Sequence, residues 1–473
     1  MLNQGPGARA SVSLVAALLL ACAREAPERP NLVLILADDL GWADVGYQGS
    51  TFHRTPSLDA LARDGLVFEQ AYAASPVCTP ARAALFTGCS PARLHVTAVY
   101  GENTPLDDLE ERLERGTPGI LVAPTVHERL PENAPTIAGA LRERGYRTAL
   151  IGKWHLAPAP RAAGFDVQIA ASPAGRVASH FSPYGLPTLR DGPRGEYLTD
   201  RLTDEALRFL VENRERPFLL VLSHYAPHTP LEAPAELVEE CRARADPRAG
   251  QRNPVYAAMI ERLDASVGRV RAELERLGLA ERTLLVFTSD NGAYEGRRRT
   301  SAAEPAPEPV TSNHPLRGGK GLLYEGGLRV PMIAWGGLVR RAGTCAVPVV
   351  GMDLCATLLA LAGHAPLPAS DGRDLTPLLA GTGTPAREAL YFHFPHESFA
   401  SAIRRGDEKL VYSWRRERSE LYDLARDPGE EHDLAAERPE RVAALERELF
   451  AWLDQVGAAR PVRVPAVPGE PRR

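Results

Sequence analysis

The chain has 473 residues, of which 44% are hydrophobic and 24% are charged, and its formal net charge is −5. These values are typical of a globular protein that has one large and one small domain. The 55 basic residues are scattered along the chain, which argues against a nucleic-acid partner, and the lack of a fixed-period repeat argues against a solenoid.

The N-terminus has the features of an export signal. Arg9 precedes an apolar run, Val12 to Ala21, which is too short to span a bilayer but has the length of a signal-peptide core. The run ends in Leu19-Leu20-Ala21-Cys22, which resembles a bacterial lipobox with Cys22 as the lipidated first mature residue. Leu20 is unusual at its lipobox position, so ordinary cleavage nearby is the alternative. Both readings predict an exported protein that is periplasmic or anchored to the outer membrane.

The first predicted strand ends in a pair of carboxylates. The run Asn31–Ala37 is almost entirely apolar, as expected of a strand that is buried on both faces of a parallel sheet. Asp38 and Asp39 follow it, at the strand end where open α/β sheets bind their ligands. Because adjacent carboxylates repel each other, the pair indicates a bound cation. A solvated turn is the alternative.

The segment Cys78-Thr79-Pro80-Ala81-Arg82 predicts a reactive group beside an anion-binding corner. Pro80 suits the first turn of a helix that begins just after Cys78. Cys78 would then lie at a helix N-terminus, where free N–H groups favour negative charge. Arg82 lies one turn later on the same face, as a permanent cation. A buried thiol at a helix start is the alternative for an isolated cysteine.

Three later strands also end in polar side chains. Carboxylate and amide oxygens that follow buried strands suit Ca²⁺ and, less well, Mg²⁺. A lysine and a histidine two residues apart point to the same side if the chain is extended, although such a pair also occurs at a surface edge. The pairs are Lys153 and His155 after Thr148–Ile151, His224 and His228 after Phe218–Leu222, and Asp290 and Asn291 after Thr283–Thr288.

The C-terminal third predicts a second, smaller domain. A glycine-rich segment that contains Lys320 runs from Arg317 to Pro331, and a boundary is expected near Thr382-Gly383-Thr384-Pro385. Beyond it, Ala402–Tyr412 alternates like a strand of an antiparallel sheet, and a helix with an apolar face is predicted over Pro439–Gln455. The predicted divisions are a signal peptide over 1–22, a main domain over 30–384, a small α+β domain over 385–457 and a tail over 458–473.

The remaining cysteines give no indication of a metal site. Their spacing fits neither a zinc site nor a dense disulfide framework, so we expect buried thiols. A bridge between Cys345 and Cys355 is the alternative. These cysteines are Cys89, Cys241, Cys345 and Cys355.

Together, these segments resemble the motifs of the type I sulfatase family. The Cys-x-Pro-x-Arg segment at 78–82, followed by Leu-x-Thr-Gly at 85–88, resembles the family signature. The matches extend from about Pro30 to Asp433. Further matching segments are Asp-Asp-Leu-Gly at 38–41, Gly-Lys-Trp-His-Leu at 152–156, Pro-His-Thr-Pro at 227–230, Ser-Asp-Asn-Gly at 289–292 and the segment from Gly319 to Pro331.

The resemblance implies an alkaline-phosphatase-like α/β fold, with a mixed, mostly parallel sheet sandwiched by helices and a small C-terminal domain of antiparallel sheet plus helix. It also implies that a formylglycine-generating enzyme converts Cys78 into formylglycine, whose hydrate attacks the sulfur of a sulfate monoester. One calcium ion per chain would be held by Asp38, Asp39, residue 78, Asp290 and Asn291.

The resemblance further implies a role for each remaining site residue. Asp290 would be the base, and His228 would protonate the leaving oxygen. His155 would help to deprotonate the second hydroxyl of the hydrate, which then expels sulfate. His224 does not match the Pro-His-x-Pro element, so it is expected behind the site. The side chains that would hold charge on the formylglycine and the sulfuryl group are Lys153, Lys320 and Arg82.

The resemblance leaves the substrate and two alternative functions open. The substrate is a sulfated small molecule or glycan, because specificity is expected in variable loops such as 101–131 and 293–316. One alternative is a phosphonate monoester or phosphodiester hydrolase of the same fold. The other is a sulfate-binding protein that keeps the cleft but lacks maturation.

Overall fold

The computed structural model describes residue 1 and residues 29–99, 121–124, 127, 129–131, 133–296, 309–385 and 387–464. The predicted export signal, Cys22 and the C-terminal part of the tail lie outside these residues, as does most of the 101–131 segment. The strands are β1 (Asn31–Ala37), β2 (Leu66–Phe68), β3 (Ala71–Tyr72), β4 (Leu121–Val122), β5 (Arg147–Gly152), β6 (Val167–Ile169), β7 (Phe218–Ser223), β8 (Thr283–Ser289), β9 (Met332–Trp335), β10 (Gly343–Cys345), β11 (Val349–Val350), β12 (Ala389–Phe394), β13 (Ala400–Arg405), β14 (Glu408–Ser413), β15 (Arg418–Asp423) and β16 (Val462–Arg463).

The α-helices of the described residues alternate with these strands over the first three quarters of the chain. They are α1 (Pro56–Asp64), α2 (Cys78–Thr87), α3 (Pro91–Leu94), α4 (Ile137–Glu143), α5 (Leu198–Asn213), α6 (Ala235–Arg244), α7 (Pro254–Arg276), α8 (Glu325–Leu328), α9 (Met352–Leu361), α10 (Thr376–Ala380) and α11 (Pro439–Gln455). None of them is both long enough and apolar enough to cross a membrane.

An eight-stranded sheet in the order β10-β2-β9-β8-β1-β7-β5-β6 forms the core. β1 is parallel to β7 and to β8, whereas β9 is antiparallel to both of its neighbours. Alternate residues of β1 pack into two hydrophobic clusters, one on each face of the sheet. An apolar run of this kind is what a central parallel strand requires, and the predicted mixed, mostly parallel sheet is confirmed.

Helices cover both faces of this sheet. The residues of α2, α4 and α9 belong to the cluster that contains Leu32, Leu34 and Leu36. The residues of α1, α5 and α7 belong to the opposite cluster, with Val33 and Ile35. The signature helix α2 therefore lies on one face of the sheet, and its N-terminus reaches the carboxyl end of β1.

The C-terminal sheet consists of β12 to β15, paired in order and antiparallel. One face packs on α11 through Ile403, Leu410 and Leu421, and the other face packs on the main domain. The prediction of a single strand over 402–412 was wrong, because a turn at Gly406, with φ +60°, divides the segment into β13 and β14. The domain boundary near residue 385 stays a prediction.

The five cysteines of the described residues are free thiols, so the alternative bridge between Cys345 and Cys355 is absent.

Hydrogen bonds connect the loops that follow the central strands to one another. Lys153 N–H donates to Ser223 O at 2.7 Å, and Asp290 N–H donates to Ala37 O at 3.2 Å. These bonds bring the predicted polar pairs to one edge of the sheet.

Candidate active site

Two lysines lie on the carboxylate pair that follows β1. Lys153 Nζ is 2.8 and 2.7 Å from the two oxygens of Asp38, and Lys320 Nζ is 2.8 Å from Asp39 Oδ2. Burial raises the pKa of Asp38 above its ordinary value, although Lys153 opposes the shift. Burial also tends to raise the pKa of Asp39, but the positive charges of Lys320 and His228 outweigh burial and lower this pKa below its ordinary value. Asp39 is therefore held as a carboxylate.

Cys78 begins α2 directly beside these carboxylates, as the sequence predicted. Its Sγ lies 3.5 Å from Asp38 Oδ1 and 3.6 Å from Asp39 Oδ1, and the residue is only 1% exposed. Burial and the nearby Asp290 raise the pKa of the Cys78 thiol well above its ordinary value. An unmodified Cys78 is therefore a neutral thiol, which is a weak nucleophile.

Arg82 is fully buried and joins three strand ends. Its Nε donates to Asp290 Oδ2 at 2.8 Å, and its Nη1 donates to Lys153 O at 3.0 Å and to Ser223 Oγ at 2.8 Å. Asp290 Oδ1 accepts the backbone N–H of Asp39 at 3.2 Å. Arg82 thus pairs with the Asp290 carboxylate and connects the ends of β5, β7 and β8 beneath the site.

The residues present fit a calcium ion. Ligand atoms of Asp38, Asp39, Cys78 and His228 all lie within 4.8 Å of one another. The Asn291 amide donates to Asp39 Oδ1 at 2.8 Å, while its buried Oδ1 has no hydrogen-bond partner among the described residues. The carboxylate oxygens of Asp38 and Asp39, beside this unpartnered amide oxygen, are the hard donors that Ca²⁺ prefers, whereas the Cys78 sulfur and the His228 nitrogen are not.

The two histidines that follow β7 have different surroundings. His228 Nε2 is 3.6 Å from Asp39 Oδ2, and its side chain is 16% exposed. His224 is completely buried, with Nε2 3.0 Å from Ser266 Oγ on α7. Burial lowers the pKa of His224 to about 3, so this histidine stays neutral. The structure therefore brings His228 to the carboxylates and leaves His224 within the helix packing.

His155 is positioned by a backbone that the sequence did not predict. The chain is not extended there, because His155 has φ +55° in the left-handed region. Thr79 Oγ1 donates to His155 O at 3.2 Å, and His155 N–H donates to Ser172 O at 3.0 Å. Its imidazole packs directly against Gly175, where any Cβ would overlap the ring. His155 is thus fixed beside the first turn of α2.

Sequence reasoning missed one residue that supports the carboxylate pair. The Tyr256 hydroxyl lies 3.1 Å from the backbone oxygen of Asp39 and 2.8 Å from Asp44 Oδ2. Asp39 itself has φ +63°, a conformation that is uncommon for a residue other than glycine. Tyr256 lies on α7, 217 residues further along the chain, and belongs to none of the motifs that the sequence analysis identified.

The family model described as Sulfatase matches residues 30–364. The chain belongs to the sulfatase family. A second model, described as N-sulphoglucosamine sulphohydrolase, C-terminal, matches residues 318–457 of this sulfatase.

Curated relatives match the sulfatase over nearly its full length. Human arylsulfatase A is 32% identical over 93% of this chain and 90% of that protein. Mouse steryl-sulfatase is 31% identical over 94% of this chain and 84% of its own length. Together with the family model, these relatives show that the chain is a sulfatase enzyme.

Solved structures share its alkaline-phosphatase-like fold. The crystal structure of Ps i-CgsB has a TM-score of 0.73 and 29% identity, and the match covers 90% of this chain and 93% of that one. The phosphonate monoester hydrolase of Agrobacterium radiobacter has a TM-score of 0.65 and 20% identity, with 92% and 99% coverage, which shows the fold alone.

Proposed function

We propose that this sulfatase hydrolyses a sulfate monoester to an alcohol and inorganic sulfate with formylglycine at residue 78 and one calcium ion. The observation that carries the proposal is the placement of Cys78 against Asp38 and Asp39, with Lys153 and Lys320 on the same carboxylates. The formylglycine would supply a hydrated aldehyde as the nucleophile.

The charges of the site favour an anionic substrate once calcium is bound. The carboxylates of Asp38, Asp39 and Asp290 face three cationic side chains, so their charges cancel. A bound divalent ion would therefore give the site a net positive charge, which favours an anionic sulfate ester. When bound, calcium supplies a Lewis acid that polarises the sulfate oxygens. The ion would be held by residue 78 and by the oxygens of Asp38, Asp39, Asp290 and Asn291. The three cations are Arg82, Lys153 and Lys320.

The cationic side chains would stabilise the charge that develops on the sulfuryl group. Lys153 is fully buried, whereas the Lys320 side chain is 18% exposed and can contact a ligand that enters the cleft. Charged donors fixed in a desolvated site need little reorganisation during the reaction. Arg82 already donates to Asp290, so we assign it to the orientation of that carboxylate as well as to the charge of the site.

Three side chains are proposed to move protons. Asp290 would act as the base toward residue 78. His228 lies at the exposed side of the carboxylates and would donate a proton to the leaving oxygen as a general acid. His155 would accept a proton from residue 78 in the step that releases sulfate, since its backbone is tied to Thr79 in the same helix turn.

The proposed substrate is a sulfated glycan or a sulfated small molecule. Ps i-CgsB, which is 29% identical to this chain, has been solved in complex with k-i-k-neocarrahexaose, and this supports a glycan. The relatives named arylsulfatase and steryl-sulfatase support smaller esters. A phosphonate monoester or phosphodiester activity has only the fold likeness in its favour. Turnover of an aryl sulfate against an aryl phosphodiester separates the two activities.

Export remains part of the proposal on sequence grounds. Residues 2–28 lie outside the described part of the chain, so the signal peptide and the lipid anchor at Cys22 rest on the sequence alone. Fractionation of expressing bacteria, followed by mass analysis of the mature N-terminus, would distinguish a lipidated Cys22 from ordinary cleavage. Cytoplasmic protein with an intact N-terminus would refute export.

The decisive experiment is a substitution of Cys78. In a host that matures the wild type, Cys78→Ala and Cys78→Ser should abolish turnover of an aryl sulfate and leave the fold intact. Mass analysis of the wild-type peptide should find residue 78 lighter than cysteine. A Cys78→Ala variant with near wild-type activity would refute the formylglycine assignment.

A further inference from the structure

The loop that carries Lys320 is held from several directions. Lys320 N–H donates to Ala293 O at 3.0 Å, and Gly321 N–H donates to Pro76 O at 2.9 Å, two residues before Cys78. The loop then enters the short helix α8, which begins at Glu325. Within α8, Gly326 N–H donates to Arg317 O at 2.9 Å and closes the loop. The helix α8 is therefore one of the supports that set the position of the Lys320 ammonium at Asp39.

A buried charge cluster fixes α8 to the C-terminal sheet. Lys409 on β14 has its Nζ 2.9 Å from Glu325 Oε1 and 2.9 Å from Glu430 Oε1, and the three side chains are 0% exposed. Glu430 Oε2 accepts the backbone N–H of Glu325 at 2.7 Å. The second oxygen of Glu325 accepts the Tyr72 hydroxyl at 2.7 Å. Lys409 thus clamps the residue that starts the helix.

A second set of contacts holds the other end of the same loop. Arg317 Nη1 donates to the Tyr422 hydroxyl at 2.7 Å and to Glu430 O at 3.1 Å. Its guanidinium lies 3.8 Å from the ring centre of Tyr324, whose hydroxyl donates to Glu420 Oε2 at 2.7 Å. Residues of the C-terminal sheet and of the turn after it therefore contact the loop on both sides of Lys320, at Arg317 and at Tyr324.

Stability alone is a poor explanation for the Lys409 cluster. Burial of an ammonium and two carboxyl groups carries a large desolvation penalty, which raises the pKa of Glu430 to about 7. Well-packed apolar side chains in place of such clusters are often neutral or stabilising. One ammonium also faces two carboxylates, with Arg329 Nη1 only 3.8 Å from Glu325 as a partial compensation. The cluster does, however, fix the position of the Glu325 backbone at the start of α8, because Glu430 accepts its N–H while Lys409 holds its side chain.

We propose that Lys409 is a positioning residue for the sulfatase reaction. Through Glu325 it holds α8, and through α8 it holds Lys320 at Asp39, so the C-terminal sheet completes the active site. The inference rests on the proposed role of Lys320 in binding the sulfuryl group. Lys409 itself contacts no reacting atom.

A double-mutant cycle tests whether Lys409 acts through Lys320. Lys409→Met, which keeps the length of the side chain and removes its charge, should lower kcat/KM for an aryl sulfate by about 10-fold to 100-fold, as expected for a small misplacement of a catalytic group. In the Lys320→Ala background the same substitution should cause little further loss. A merely structural role would give similar losses in both backgrounds, which would overturn the proposal.

A second variant keeps the proposal testable if Lys409→Met does not fold. Glu325→Gln preserves size and leaves Lys409 paired one to one with Glu430, so it should fold. Its loss of kcat/KM should again disappear in the Lys320→Ala background. Unchanged activity of a folded Glu325→Gln variant, or an equal loss in both backgrounds, would refute the clamp.

Arg387→Met is the matched control. Arg387 forms a largely buried ion pair with Asp353 at the start of α9. Among the described residues, neither side chain bonds to the loop that carries Lys320. This variant should lose stability, and any loss of activity should be equal with and without Lys320. Wild-type protein that fails to hydrolyse any sulfate ester would refute the proposed function, whereas active wild type with additive losses would refute the positioning role alone.

Discussion

His228 and His224 are four residues apart, yet only one of them can reach a substrate. His228 lies at Asp39 with its side chain partly exposed, whereas His224 is sealed between the sheet and α7 against Ser266. A general acid must come within hydrogen-bond reach of the oxygen that it protonates. The surroundings of the two imidazoles therefore support the assignment of His228 that the family motif implied.

The role of His228 predicts a dependence on the leaving group. An activated nitrophenyl sulfate departs with little help, whereas an alkyl or sugar sulfate needs a proton. His228→Ala should therefore lower kcat/KM for the alkyl or sugar sulfate far more than for the nitrophenyl ester. His224→Ala should affect both esters modestly and equally. Equal losses for His228→Ala would mean that this residue binds sulfate instead of donating a proton.

At the scale of elements, the central strands were the easiest part to predict. The expected strand Thr148–Ile151 is β5, Arg147–Gly152, and the expected strand Thr283–Thr288 is β8, which ends one residue later. Burial on both faces demands continuous apolar runs, which are visible in the sequence. The hairpin of β13 and β14 was read as one strand because alternation on both arms continues across the two-residue turn at Gly406 and Asp407.

Local backbone conformation was the harder part. Lys153 and His155 were expected to share one side of an extended chain, but the left-handed conformation of His155 breaks the alternation. A single positive φ produces no periodic pattern in the sequence, and non-glycine residues adopt it only rarely, usually where surrounding contacts favour it. Here those contacts are Thr79 and Ser172 on the backbone and Gly175 on the ring.

The packing of Gly175 on His155 predicts a loss of activity from a single methyl group. In Gly175→Ala the new Cβ would overlap the imidazole, so His155 must move, and kcat/KM should fall by about 10-fold to 100-fold. The control is Gly185→Ala, in the same excursion between β6 and α5. Its φ is +67°, but nothing lies within 4 Å of the added Cβ, so it should cost about 1 kcal/mol of stability and leave kcat/KM unchanged. Equal activity of the two variants would contradict the placement of His155.

At the scale of the whole molecule, the site is assembled from contacts that span most of the chain. The sequence motifs located the charged residues, but not the side chains that position them. Tyr256 reaches Asp39 across 217 residues, and Lys409 reaches Glu325 across 84. The sequences around Tyr256 and Lys409 indicate only a packed helix and a strand. A contact between residues far apart in the chain leaves no pattern in the sequence around either residue.

The calcium assignment predicts a linked stabilisation of the whole molecule. A ligand that binds only the folded state stabilises it by about 2.7 kcal/mol at 100 times its Kd. Added Ca²⁺ should therefore raise the Tm of the chelated protein and restore its turnover. Asn291→Ala, which leaves every charge in place, should require more Ca²⁺ for the same shift. If exhaustive chelation changed neither Tm nor turnover, the calcium assignment would be wrong.

The burial of Cys78 sets an order of events in the life of the protein. Cys78 is 1% exposed and every residue of α2 is buried, so a modifying enzyme could not bind this segment after the chain has folded. The proposed conversion to formylglycine must then occur on an open chain, before folding. Protein that folds unmodified would remain inactive, and the modified fraction of a preparation would measure how modification and folding competed in the producing cell.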